Sequence, residues 1–409
     1  MTTPNQNFFT QIKIFIKKVC HKIPIGLRHR LTTLLWNYSH QLKKTFNPIC
    51  PKVFIFKGLE KNSKTPLTFA YIGPPSQTQE YWLQATLDPG FQKHLLGRRF
   101  FKSIIPFLKE NYLDCNFLLI ECNPLTLAYF SKKPGFNIPR WVNMEIDLSV
   151  PVEKLLGSER SEIKRMTTKN QLTYEMTKEP RHLDDFYHHM YLPYIQSRYK
   201  STAMINEHLK ILKMLYKGEL MLIKKQEAVI AGGLLEFRDK NAYFRVLGIR
   251  DGKLEHVQSG AIGALYYFIT IEIQKRGYKR ILIGGRRPLL SDGLTKFKKS
   301  IKANLISNDH NDRIWFKLLK DSPSLQSFLI NNPFIFYKKD TKPHRAVFME
   351  AKEACSQEEL KKALRISACK GIRDSHLFIF HNIKNSVDYA NLLPDPSFTA
   401  QSAKELFSS

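Results

Sequence analysis

From residue 52 onward, short apolar or alternating blocks are separated by longer stretches whose apolar residues recur three and four apart. The first kind predicts strands, the second helices. KVFIF at 52–56 and LTFAYI at 67–72 read as strands, the latter ended by Gly73-Pro74-Pro75. Phe101, Ile104, Ile105, Phe107 and Leu108 predict a helix over 100–111. FLLIE at 117–121 then reads as a fully apolar strand. A short helix over 124–132, a Pro134-Gly135 stop and a strand over 142–148 complete an α/β unit.

The stretch 151–168 is dense in alternating charge and predicts a connecting helix, after which the same order of elements returns. Helices are expected at about 183–199 and 206–216, and strands at 219–224, 228–237 and 242–249. A long helix over 260–276 is closed by Gly277, and a short strand at 280–283 leads into Gly284-Gly285-Arg286-Arg287-Pro288. The domain reading is therefore a leader over 1–50, units at 51–150 and 171–305 joined by a helix over 151–170, and a remainder over 306–409. That remainder, with an apolar strand at 346–350, a helix at about 357–368 and LFI at 377–379, predicts a small α/β appendage, and the Ser-rich end after Pro394 predicts disorder.

Charge changes the picture of partners. The formal net charge is +28 on 409 residues, which favours RNA, an anionic bilayer or phosphorylated ligands. Residues 1–50 contain no Asp or Glu, and Phe8, Phe9, Ile12, Phe15, Ile16 and Val19 fall at helical spacing beside Lys13, Lys17 and Lys18. That pattern over residues 8–30 suits a basic amphipathic helix on an anionic membrane; a helix docked on the protein's own core fits it as well. No run approaches a membrane span and no signal-peptide cleavage pattern is present. The expected location is the cytoplasm, with a peripheral position on the inner face of the membrane if the leader binds lipid. Six cysteines at 20, 50, 115, 122, 355 and 369 lack zinc-knuckle spacing and read as reduced thiols. Adjacent His188 and His189 would point about 100° apart on a helix, so no metal is expected.

Two stretches suggest phosphate recognition. Gln92, Gly97 and Arg98 sit in QKHLLGRR just before the first predicted helix, where unpaired amides and the dipole favour an anion. This run resembles the acyl-CoA pyrophosphate loop of GNAT acetyltransferases, and LIECN at 119–123 followed by Gly135-Phe136 resembles the same family's closing strand and turn. The first unit departs from the family in two places: Leu95 replaces a loop glycine, and Ser131 stands where the family usually has a tyrosine to protonate the leaving thiolate.

The second unit resembles the C-terminal half of Fem-like (FemAB-type) transferases. The likeness rests on Glu159-Arg160 with Ile163-Lys164-Arg165, on VIAGGL at 229–234, and on the run Gly284, Gly285, Arg286, Arg287, Pro288 followed by Asp292-Gly293-Leu294 and Phe297-Lys298. It implies an α/β (α+β) protein of two tandem GNAT-like domains, each a mixed, mostly antiparallel sheet flanked by helices. It also implies acyl or aminoacyl transfer to an amine by direct attack, without an enzyme nucleophile. Gly284, Gly285, Arg286 and Arg287, with Gln258, Ser259 and Gly260 before the long helix, are the expected donor-binding residues. Asp292, Lys298 and Glu236 are the candidate catalytic residues; each also has a plain structural reading as turn cap, solvated lysine or edge carboxylate.

The expected donor is acyl-CoA, or alternatively aminoacyl-tRNA, and the expected acceptor is a phosphorylated or membrane-linked amine. A tRNA- or RNA-binding protein, or a catalytically inactive scaffold at the membrane surface, are the competing readings. No RNA-binding signature and no Gly-x-Ser-x-Gly elbow occur in the chain.

Overall fold

The computed structural model describes residues 49–157, 159–200, 203–306, 313–338, 342–350, 358, 364, 367–380 and 398–407. The basic leader over residues 8–30 and most of the helix expected at 357–368 lie outside these residues.

The first half opens with β1 (Lys52–Leu59) and β2 (Pro66–Ile72), an antiparallel pair with Phe56 opposite Phe69. Alternation along β1 sends Val53 and Ile55 into one apolar layer and Phe54 and Phe56 into another. Both faces of the sheet are thus covered, which explains why the strand reads as nearly continuous apolar sequence. Then come α1 (Gln77–Thr86), N-capped by Ser76, β3 (Gln92–Arg98), α2 (Ile104–Asn111) and β4 (Phe117–Cys122), which runs parallel to β2. A box of Asn123 and Thr126 starts α3 (Pro124–Phe130), and β5 (Phe136–Pro139) and β6 (Val142–Asp147) follow.

The second half contains α4 (Glu159–Lys169), β7 (Leu172–Thr177), α5 (Pro180–Phe186), a π-helical turn at Tyr187–Tyr191, α6 (Leu192–Tyr199) and α7 (His208–Leu215). β8 (Gly218–Lys225), β9 (Ala228–Arg238) and β10 (Asn241–Ile249) form a meander. After α8 (Leu254–Gln258) and α9 (Ala261–Lys275), β11 (Arg280–Arg286) returns parallel to β10, and α10 (Gly293–Ser300) and β12 (Asn304–Ile306) close the unit. β13 (Arg313–Leu318), α11 (Pro323–Asn331), β14 (Phe334–Tyr337), β15 (Pro343–Glu350), β16 (Ser375–Phe380) and β17 (Phe398–Ser402) complete the described chain.

These strands make two mixed sheets flanked by helices. One has ten strands in the order β17-β16-β15-β14-β5-β13-β4-β2-β1-β3, the other seven in the order β12-β6-β11-β10-β9-β8-β7. The halves exchange strands. β6 leaves the first half and lies between β11 and β12, while β13 returns from beyond the second half to lie between β4 and β5.

The boundaries 51–150 and 171–305 are corrected accordingly, since β6 pairs in the second sheet. The stretch over 306–409 is no separate appendage, because β13 to β17 belong to the first sheet. The tail is corrected too: Phe398–Ser402 is a strand parallel to β16.

Candidate active site

β10 and β11 are joined through α8 and α9, so they run parallel, yet they pair only at Ala242 with Ile281 and Tyr243 with Leu282. Beyond these two rungs they part. On the β10 side the register against β9 shifts between Phe244 and Val246, a bulge centred on Arg245. On the β11 side the register against β6 shifts between Leu282 and Gly285, around Gly284 at φ 76°.

The gap holds a cavity of about 510 Å³ lined by Tyr194, Arg245, Val246, Gly263, Gly284 and Lys298, among others. A second cavity of about 910 Å³ lies between the two halves, with Tyr81, Trp141, Arg286, Arg287 and Asp292 in its wall. Ile195, Arg198, Tyr199, Met204 and Leu294 line both, so the two form one cleft. Seven basic side chains line it: Lys61, Arg198, Lys200, Arg245, Arg286, Arg287 and Lys298. Asp292 is the one acid among the described lining residues. Such a wall concentrates anions.

Lys298 is 2% exposed. Its Nζ donates to the carbonyl oxygens of Ile283 at 2.8 Å and Gly284 at 3.1 Å. Burial, with the nearby Arg286 charge, pushes its ammonium down from 10.5 to about 7. A neutral amine has two hydrogens, enough for both carbonyls, and a lone pair left over. Asp292 caps α10, its Oδ1 accepting from Leu294 N at 2.8 Å, and it also lines the cleft.

The two arginines differ. Arg287 is a clasp between the halves: its Nη1 donates to Thr78 Oγ1 at 3.2 Å, and its guanidinium lies 4.0 Å over the Trp141 ring. Arg286 is fully buried. Its Nη1 donates to Thr295 Oγ1 at 2.8 Å and to the Arg287 carbonyl at 3.1 Å. Its Nε and Nη2 have no hydrogen-bond partner among the described residues. Burial lowers the pKa of both, that of Arg287 to about 10.

Three expectations are corrected. Gln92, Gly97 and Arg98 do not form a loop at a helix start. They lie in β3, an edge strand antiparallel to β1, and Arg98 Nη1 donates to the Cys50 carbonyl. QKHLLGR has no alternation and is almost wholly exposed; the open edge of β1, and not a sequence pattern, makes it a strand. Gln258, Ser259 and Gly260 lie at the turn between α8 and α9 but not in the cleft wall. Ser259 Oγ donates to the His256 carbonyl, and Gly260 packs beside Met166, where a Cβ would come within 2.9 Å. Glu236 is no free base: fully buried, it accepts from Arg238 Nε and Arg245 Nε, each at 2.5 Å.

That pairing exposes a residue missed from the sequence. Glu236 holds Arg245, whose guanidinium lies 4.2 Å over the Tyr243 ring and which lines the smaller cavity. An arginine within the apolar strand NAYFRVLGI was the available signal. Tyr194, Arg198, Tyr199, Tyr81 and Trp141 were missed because the cleft gathers them from both halves. Among the expected residues, Gly284, Gly285, Arg286, Arg287, Asp292 and Lys298 do come together.

No family description and no curated protein matches the sequence. Among solved structures, FemX is similar at 14% identity over 63% of this chain and 83% of FemX, with a TM-score of 0.34. L-PGS from Bacillus licheniformis is similar at 10% identity over 66% of this chain and 86% of that one, with a TM-score of 0.33. The C-terminal domain of a putative lysylphosphatidylglycerol synthetase from Agrobacterium fabrum gives 12% identity, 65% and 80% coverage and a TM-score of 0.31.

Proposed function

We propose that the protein transfers an acyl or aminoacyl group from an activated, phosphate-bearing donor to an amine. The observation that carries this reading is the parting of β10 and β11 over a basic cleft with Lys298 at its back. From Phe244 onward β10 has no rung to β11, so its edge amides on that side are available to a donor's carbonyl and pantetheine-like amides.

The chemistry needs little more. The amine nitrogen attacks the donor carbonyl, the C–S bond of a thioester or the C–O bond of an aminoacyl ester breaks, and thiolate or alkoxide departs. The attacking nitrogen's proton goes to a base. Lys298, which burial brings to about 7 and so leaves partly uncharged at neutral pH, suits that role. Arg245, Arg198 and Lys200 supply positive charge for phosphates, and Tyr81 and Trp141 an aromatic wall for the acceptor. Either acyl-CoA or aminoacyl-tRNA fits this chemistry as donor, and a phosphorylated or membrane-linked amine fits as acceptor.

The test is thermal stabilisation of the full chain by acetyl-CoA, by a long-chain acyl-CoA and by aminoacyl-tRNA, at two salt concentrations. CoA stabilisation lost in Lys298→Met and Arg245→Ala supports the CoA form. Affinity for tRNA that falls steeply with salt supports the tRNA form. Binding of donor without transfer to any amine favours an inactive scaffold, and failure of every donor to bind sinks the transferase reading.

A further inference from the structure

At the β17 edge of the ten-stranded sheet, far along the strand order from β4 and β2, three side chains from two separate stretches meet. His344 lies on β15, Asp374 immediately precedes β16, and His376 lies on β16, parallel to β15. We propose that His344, Asp374 and His376 form a binding site for a single zinc-class divalent metal ion.

Geometry carries the assignment. One ligand atom from each residue lies within 4.8 Å of the other two. His344 Nδ1 is 3.3 Å from His376 Nε2 and 3.3 Å from Asp374 Oδ2. A tetrahedral ion with bonds of about 2.0–2.1 Å sets its ligand atoms about 3.3–3.4 Å apart, so these two edges match without movement.

A hydrogen-bond account of the cluster is poorer. One proton on His344 Nδ1 would serve both Asp374 and His376 at 3.3 Å, longer than either bond prefers. Asp374 Oδ2 also lies 3.6 Å from Nε of the half-exposed Arg373, a long contact that a bound cation would replace. A cation between the three serves all of them at once.

The surroundings fit a ligand set. His376 Nδ1 lies 2.7 Å from Thr399 Oγ1 on β17, the strand paired with β16. With the proton on Nδ1 donated to that hydroxyl, Nε2 presents its lone pair to the other two residues, the arrangement in which metal-bound imidazoles are oriented by an outer partner. His344 and His376 are 2% and 5% exposed, and the Phe336 ring packs against both. Asp374 is about a third exposed, which gives an ion a path in and leaves a fourth position open to water. Two imidazoles and one carboxylate favour zinc, cobalt or nickel over calcium and magnesium, which prefer all-oxygen sites. Sequence spacing hides the set, because thirty residues separate the first ligand from the second.

The test is titration of chelator-stripped, full-length protein with Co(II), followed by the visible d–d bands of a tetrahedral ion, then displacement by Zn(II). One equivalent is expected to bind, with the bands bleached by zinc. Asp374→Asn and His376→Asn should each weaken binding about tenfold or more, Thr399→Val less, and His188→Ala not at all. Absence of stoichiometric binding, or an unchanged affinity in Asp374→Asn, overturns the site. If His376→Asn does not fold, the part-exposed Asp374 variant decides alone.

Discussion

Lys298 and Gly284 are tied by a hydrogen bond of 3.1 Å from the lysine Nζ to the glycine carbonyl, at the point where β11 turns away from β10. The bond draws a titratable amine into the base of the cleft, where burial brings it to about 7. Unfolded, the same lysine titrates near 10.5. Between those values the unfolded chain holds a proton that the folded chain has lost, so stability rises with pH across the window, and below 7 the cost of burying the charge is fully present. From pH 7 to 9 the wild type should gain on the order of 2 kcal/mol relative to Lys298→Met. Urea unfolding of both at the two pH values reads the difference. Parallel curves would show that the amine is not held in this environment.

Arg286 predicts the reverse of the usual outcome for a buried arginine. Two of its donors, Nε and Nη2, find no hydrogen-bond partner among the described residues. Replacing a half-satisfied buried charge with an apolar chain of similar volume is often neutral or stabilising. Arg286→Met should therefore melt at or above the wild-type temperature, while donor affinity falls with the loss of positive potential in the cleft. Calorimetry in the absence of ligand decides; a variant several degrees less stable would mean that the guanidinium is well bonded.

Gly248 packs against the turn whose Tyr191 lines the smaller cavity. A Cβ there would sit 2.5 Å from the backbone of Met190 and Tyr191, in the π-helical turn that leads to Tyr194. Backbone cannot give way as a flexible side chain can, so Gly248→Ala should cost about 1–3 kcal/mol and shift the tyrosines of the cleft. Gly293→Ala is the matched comparison: nothing lies within 4 Å of its Cβ position, and it opens α10. That change should be neutral or stabilising by up to about 1 kcal/mol. Equal losses in the two would refute the packing account.

Local pattern made most elements of both halves legible. Alternation in KVFIF and the helical spacing of 100–111 follow from local geometry, and β1 and α2 stand where they indicate. Pairing was not legible. VNMEID in β6 carries the same alternation whichever sheet it joins, and only the edge left by β11 decides. The cleft was half legible for the same reason. Arg286, Arg287, Asp292 and Lys298 are near one another in sequence, whereas Tyr81, Trp141 and Arg198 reach it from distant elements. Glu236 has the residue type of a base, and only the structure places two arginines on it.

The exchange of β6 and β13 makes the two halves inseparable, which a truncation can test. β13 supplies Trp315 to one apolar layer of the first sheet and Phe316 to the other, both fully buried. It also pairs with both β4 and β5, which no other strand does. A chain ended at residue 306 leaves those two strands with exposed edges and a missing slab of core, a template for association. The first half alone, residues 49–150, should likewise fail, and in addition strands β6 without a sheet. Both fragments should elute as aggregates and lack dispersed amide resonances. A monomeric, well-dispersed spectrum from residues 49–150 would show that the first half folds without the returning strand, and the exchange would then be a docking step rather than a condition of folding.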